Sequence, residues 1–406
     1  MNLNTQRIFK LKGKVQPYAW GGTEFIPRLL GTKPSGTPAA EYWLGAHETA
    51  SSELINNNDS ISLIRIIKDY PDETIGSEVN NSFGRLPYLL KILDVKDMLS
   101  IQVHPSKVAA EQEFAKENEA GIPLTDPKRN YKDDNHKPEL MVALNNFWLL
   151  HGFKSPDQLK EVLNNIPELA HFVPLFDQAG YEGLYKAIMQ LPQEEVNRIL
   201  QPLLDRIIPL YKEGKLNRSQ EDFWAARASL TFGHAGNTDR GIFSIYLLNL
   251  VELKRGEAIF QDAGILHAYL EGQNVEIMAN SDNVLRGGLT TKNVDIDELM
   301  KHVRFEPVDP WIISGTIQNG ERVYKTPVDD FELSSFELTT GESGGFETGT
   351  TDIVIAITGK VILVSGDHQI ELNAGESAVI FQGQKVEMRA LAPSELFRAS
   401  LPFHTT

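Results

Sequence analysis

Cysteine is missing from this 406-residue chain. That absence excludes disulfides, thiolate metal sites, iron–sulfur clusters and a cysteine nucleophile together. Positive charge is scarce: 39 Lys and Arg stand against 55 Asp and Glu, a formal charge of −16. A nucleic-acid binder needs a basic footprint that displaces counterions, so nucleic acid is not an expected partner. A small anion can still be held, because a few cations outweigh the net charge at short range. No apolar run approaches the roughly 18 residues of a membrane helix, and the N-terminal MNLNTQRIFKLKGK lacks the apolar centre of a secretory signal. Glycine (31) and proline (21) are at ordinary levels, which excludes collagen-like and low-complexity chains. The expectation is a soluble cytoplasmic protein without a membrane partner, monomeric or weakly oligomeric.

Short β-rich runs fill the first 154 residues. Leu86–Leu93, Leu99–Val103 and Met141–Leu150 read as buried strands, and Lys107–Asn118 as one exposed, acidic helix. The texture changes at Ser155-Pro156-Asp157-Gln158, a helix start with Ser as N-cap, Pro in the first turn and Gln three residues on. Helix-like spacing continues to about Ala228. From Ile242 (IFSIYLLNLVEL) the β pattern returns and runs to the C-terminus, apart from a helix near Ile296–Val303. The glycine cluster Gly341–Gly349 lacks a following Lys-Ser/Thr and a helix, so it reads as a hairpin connection and not a phosphate loop.

An internal echo links two of the β regions. VELKRGE (Val251–Glu257) returns as IELNAGE (Ile370–Glu376), and each copy has a second glycine at the same spacing, Gly264 and Gly383. The first copy continues to His267. Gly256, Asp262, Gly264 and His267 follow the cupin pattern G-x5-P-x-G-x2-H, with Asp262 in place of Pro. Cupins are small jelly-roll barrels whose interior His and carboxylate residues hold one metal. In the second copy Val386 stands where His267 stands in the first, so that barrel is expected to be metal-free. The expected fold is mainly β: two cupin-type jelly-roll barrels with an inserted α-helical domain. Its units are 1–154 plus 229–305 (metal-binding), 155–228 (helical) and 306–406 (metal-free).

Further ligands are found in the first half. Gln102 and His104 lie two apart on a strand and so share a face, and Glu139 ends the polar run YKDDNHKPEL. With His267 they make an N2O2 set without sulfur, suited to Zn2+ but open to Fe2+, Mn2+ or Co2+. Two His and a carboxylate are also the facial triad of non-haem iron oxygenases, which keeps that class in view.

The chain resembles the type I mannose-6-phosphate isomerases (phosphomannose isomerases), a zinc-dependent cupin family. The likeness rests on QPYAWGG (16–22), EYWLGAHETASS (41–52), LPYLLKILDVKDMLSIQVHPSK (86–107), YKDDNHKPEL (131–140) and GILHAYLEGQNVEIMANSDNVLRGGLTTK (264–292). The last hundred residues match only in general character. Small departures, QVHP where the family often has QAHP and RGGLTTK for RAGLTPK, touch no metal or charged position. The resemblance implies interconversion of mannose 6-phosphate and fructose 6-phosphate, with one zinc per chain held by Gln102, His104, Glu139 and His267. It further implies that Arg286 is the catalytic arginine.

Aldose–ketose isomerisation moves a proton between C1 and C2 through a cis-enediol, and charge on the enediolate oxygen must be stabilised. A Lewis-acid metal and the permanently charged Arg286 suit that task. Three candidates remain for the base: Glu276, Lys137 and a metal-bound water. Lys137 is equally suited to pair with a carboxylate or phosphate. Ser100, Lys91 and Lys292 are the expected phosphate contacts, with His136 and Asp282 as further substrate contacts. Tyr18 and Trp20 either line the pocket mouth or pack.

Overall fold

The structure, a computed structural model, describes residues 6–56, 59–233 and 236–402. The architecture is mainly β, with two antiparallel sheet assemblies of 11 strands each and a block of helices.

The first assembly is organised around the 13-residue strand His267–Ala279. Its second half pairs with Tyr88–Val95 on one side and Glu139–Ala143 on the other. Its first half pairs with Ile101–Val103 and Phe147–Phe153. One strand therefore belongs to two layers, and its pleat sends alternate side chains to opposite faces. Leu93, Met141 and Tyr269 point into a common interior. Leu90, Ile92, Leu140, Val142, Val275 and Ile277 point the other way, into the core between the two assemblies. Val103, Leu266 and Ala268 pack against the helices instead. Polar residues in step with the interior set (Lys91, Glu139, His267, Glu276) are thereby carried inside.

The expected Met141–Leu150 strand is two strands, Glu139–Ala143 and Phe147–Phe153, broken at Asn145 and Asn146. The helix over Lys107–Glu119 forms as expected, with Ser106 accepting from the Ala109 N–H. At Ser155 both halves of the capping box are made. Helices continue past residue 228: Glu221–Phe232 is followed by Gly241–Leu247, and the strand begins only at Leu248. The return to β at Ile242 is therefore corrected. Every residue of Gly241–Leu247 is buried, Ser244 included, and a segment buried on all sides has no periodicity to separate a helix from a strand.

The second assembly pairs Asp352–Ser365 with Lys385–Ser400 along most of their length. Ser343–Glu347, inside the glycine cluster read as a connection, is a strand on Lys385–Ser400. The sheet takes in three strands from the other end of the chain. Ile8–Lys12 lies between Ser377–Ile380 and Glu53–Asn56, and Asp59–Ser62 follows.

The echoed turns are built alike. Gly256 and Gly375 both adopt φ 81°, and their N–H groups donate back to Ala143 (2.8 Å) and Ala356 (2.7 Å). Glu257 and Glu376 close each turn by accepting the N–H of Lys254 (2.7 Å) and Asn373 (2.8 Å). Val386 is buried among Val361, Leu363 and Met388 in an apolar interior.

Candidate functional site

Three buried side chains converge inside the first assembly. The ligand atoms of His104, Glu139 and His267 all lie within 4.8 Å of one another. Glu139 stands between the two imidazoles, Oε1 3.4 Å from His104 Nε2 and Oε2 3.6 Å from His267 Nε2. The far nitrogen of each ring is tied to a backbone carbonyl: His104 Nδ1 to Asn283 at 2.8 Å and His267 Nδ1 to Ile265 at 2.9 Å. That pairing puts the proton on Nδ1 and leaves each Nε2 lone pair facing the cluster. Among the described residues, His104 Nε2 is buried without a hydrogen-bond partner, as expected of a metal-ligating atom. Burial pushes the pKa of His104 down to about 4, so the ring is neutral and able to ligate at neutral pH. Burial works to raise the Glu139 pKa, but the Lys137 ammonium beside it outweighs burial, and the carboxyl is held well below its usual range. Gln102, two residues before His104 and opposite His267 in register, extends from the same face to the adjoining cleft.

That cleft has a volume of about 580 Å³, and His104, Glu139 and His267 lie beyond its lining. Gln102 and Lys137 border it on the metal side, and Tyr18, Trp20, Glu41 and Lys91 form another wall. Ser100, Asp282, Arg286 and Lys292 also line it, and the helical block contributes Thr231 and Phe232. Arg286 is opposite Gln102 in the strand register. Burial alone pulls its pKa down, and among the described residues no carboxylate lies within ion-pair distance of it. Lys292 is likewise shifted down, by burial and then by Arg286. Two unneutralised cations thus face the same space.

Loop contacts hold this region in place. Asn283 donates to the carbonyls of Asp133 (2.8 Å) and Asn135 (2.9 Å) and accepts the Lys132 N–H (2.7 Å), binding SDN to the YKDDN segment. Asp239 accepts the N–H groups of Gly241 (2.7 Å) and Leu289 (2.8 Å), holding Leu289 at φ 52°. A Cβ on Gly288 would lie 2.5 Å from Gly241 Cα, so the strand carrying Arg286 meets the helical block through two glycines.

Two expectations need correction. His136 is turned out of the cleft, with Nε2 3.0 Å from both carboxylate oxygens of Asp330, because successive residues in an extended segment alternate and Lys137 takes the inward place. Lys91 does line the cleft, but its charge is already neutralised, with Nζ 3.1 Å from Glu276 Oε2 and 3.5 Å from Glu41 Oε2. It is not a free phosphate contact. Lys137 Nζ, 3.0 Å from Glu139 Oε1, has the carboxylate partner that was one of its two expected roles. Glu276 is buried behind Lys91 and is not part of the cleft lining. Sequence reasoning missed Glu41, Trp43 and Tyr269. The signal was available in Glu41-Tyr42-Trp43, where alternation puts Glu41 and Trp43 on one face.

The comparisons with known proteins agree with this geometry. Residues 8–156 match the family model for the phosphomannose isomerase type I catalytic domain. The mannose-6-phosphate isomerase of Escherichia coli K12 is 38% identical over 379 residues, covering 91% of this chain and 94% of that one. This chain belongs to the type I phosphomannose isomerase family. The human mannose-6-phosphate isomerase is 30% identical across 97% of this chain and 98% of its own. Among solved structures, the Salmonella typhimurium mannose 6-phosphate isomerase bound to fructose 6-phosphate and zinc superposes with a TM-score of 0.88 at 34% identity, covering 98% of this chain and all of that one. The family's zinc fits the buried His–Glu–His cluster. Among the described residues no helix is long and apolar enough to cross a membrane.

Proposed function

We propose that the protein interconverts mannose 6-phosphate and fructose 6-phosphate by moving a proton between C1 and C2 through a cis-enediol. The observation that carries the reading is the cleft itself: a His–Glu–His cluster adjoins it on one side, and two unpaired cations line it. Gln102, His104, Glu139 and His267 would hold zinc, in agreement with the unpartnered Nε2 of His104. Bound zinc supplies Lewis acidity toward the sugar's carbonyl and hydroxyl oxygens.

The chain's own residues do the rest. Arg286, charged and without a carboxylate partner among the described residues, stabilises the oxygen charge that develops in the enediolate. Lys292 and Ser100 hold the phosphate, and Asp282 accepts from sugar hydroxyls. Lys137, which borders both the cleft and Glu139, moves the proton at Nζ. Glu276 acts on the cleft only through Lys91.

We also read the two sheet assemblies as two jelly-roll barrels. The units 1–154 plus 229–305, 155–228 and 306–406 describe them, except that the three N-terminal strands of the second assembly, the Ile312–Ile313 strand of the first, and the Glu221–Phe232 and Gly241–Leu247 helices cross those limits. The matching turns at Gly256 and Gly375 support a shared plan, and a cytoplasmic setting accords with the cysteine-free composition. The test is a coupled assay of mannose 6-phosphate conversion with and without a chelator, with zinc and iron measured and O2 consumption followed. Turnover that needs zinc and consumes no oxygen supports the reading; iron-dependent oxygen uptake without isomerisation overturns it.

A further inference from the structure

A row of polar side chains crosses three neighbouring strands beside the metal cluster. Tyr269 donates its hydroxyl proton to Glu276 Oε1 at 2.9 Å. Glu276 Oε2 accepts from Lys91 at 3.1 Å, and Lys91 lies 3.5 Å from Glu41 Oε2 on its other side. Trp43 closes the row twice: its indole N–H donates to Glu41, and its ring lies 5.2 Å from the Lys91 ammonium. Register explains the assembly, since Lys91 is opposite both Glu276 and Trp43. Glu41, Lys91 and Glu276 are 7%, 6% and 2% exposed, so water screens none of them well.

A buried pair would need only one carboxylate. A second one beside the same ammonium adds an uncompensated negative charge in a poorly screened place, which is costly unless it serves a purpose. Two carboxylates on opposite sides fix an ammonium in position as well as in charge, where one would leave its four-carbon stem free to swing. Of the two, only Glu41 shares the cleft wall with Lys91.

We infer that Glu41 is a positioning residue for the isomerisation, acting through Lys91: held between Glu41 and Glu276, the Lys91 ammonium is a fixed donor aimed from the cleft wall at an oxygen of the sugar. The inference rests on the isomerase reading of the cleft. Lys91 then touches substrate, whereas Glu41 sets where Lys91 points. The phosphate belongs at the unpaired Lys292 and at Ser100, because Lys91 has no charge left to neutralise it.

The test is a double-mutant cycle in kcat on zinc-loaded protein, with Glu41→Gln, Lys91→Met and the two combined. Glu41→Gln, nearly isosteric, should lower kcat on the order of tenfold with KM little changed, as expected for lost alignment in the transition state. Because Glu41 acts through Lys91, the double variant should be no slower than Lys91→Met alone. Glu41→Asp, which keeps the charge, should recover part of the loss at unchanged zinc content. If the two losses multiply, or if Glu41→Gln matches the unaltered protein, the inference is overturned. A merely structural role would slow Lys91→Met further when Glu41 is also replaced. Should the unaltered protein itself fail to isomerise the sugar phosphate, the isomerase reading falls, a separate outcome seen before any variant is made.

Discussion

Arg286→Ala separates catalysis from stability in one residue. The guanidinium is half-buried, its pKa is lowered by burial alone, and among the described residues it has no ion-pair partner. Removing it strands no buried carboxylate, so the large penalty of breaking a buried ion pair does not arise. The melting temperature should therefore stay within about 2 °C of that of the unaltered protein. Catalysis should respond very differently. A preorganised donor aimed at a developing oxyanion is worth about 10²–10³ in kcat, or roughly 2.7–4 kcal/mol. The coupled isomerase assay should show kcat and kcat/KM falling together, with one zinc per chain retained. Arg286→Lys should recover little, since the planar fork is lost although the charge remains. A variant with normal kcat and raised KM would refute this reasoning and make Arg286 a phosphate clamp. A fall in melting temperature with loss of zinc would also refute it, by showing that the residue supports the fold of the site.

Three further outcomes follow from the same geometry. Glu139→Ala and His267→Ala should each lose zinc on dialysis and lose turnover, as read by elemental analysis and the coupled assay, because each removes a member of the converging cluster. The chain should hold one tightly bound zinc equivalent, since Val386 sits in an apolar interior where the first copy has His267; two equivalents after dialysis would contradict this. Asp352 gives a pH dependence of stability: burial, only partly offset by Arg398, raises its pKa to about 6 from 3.8. A raised folded-state pKa contributes stability below the unfolded value that is lost as pH rises through 6, so the stability of the protein relative to Asp352→Asn should fall by about 2 kcal/mol from pH 4 to 7 in urea titrations.

The metal cluster was legible because its members carry local signatures: His104 directly follows the short strand that holds Gln102, Glu139 ends a polar run, and His267 completes a glycine-spaced turn. Lys91 was misjudged because its neutralisation depends on a register joining residues 41, 91 and 276, which no local pattern reports. His136 was misplaced by one step of alternation relative to Lys137. The Gly241–Leu247 helix escaped because burial on all sides erases the amphipathic signal that identifies a helix. The similar turns at Gly256 and Gly375 were readable, since a positive φ leaves glycine as its trace in the sequence.

The early strand Ile8–Lys12 is hydrogen-bonded to Ser377–Ile380, near the other end of the chain. During synthesis the first of these emerges long before the second exists, so an edge and its apolar face, including Phe9 and Leu11, must wait for a partner nearly the whole length of the protein away. A separately expressed C-terminal half would keep that vacancy as an open, adhesive β edge. Adding a peptide spanning residues 6–56 should close it, so that the two ends of the chain behave as one folding unit.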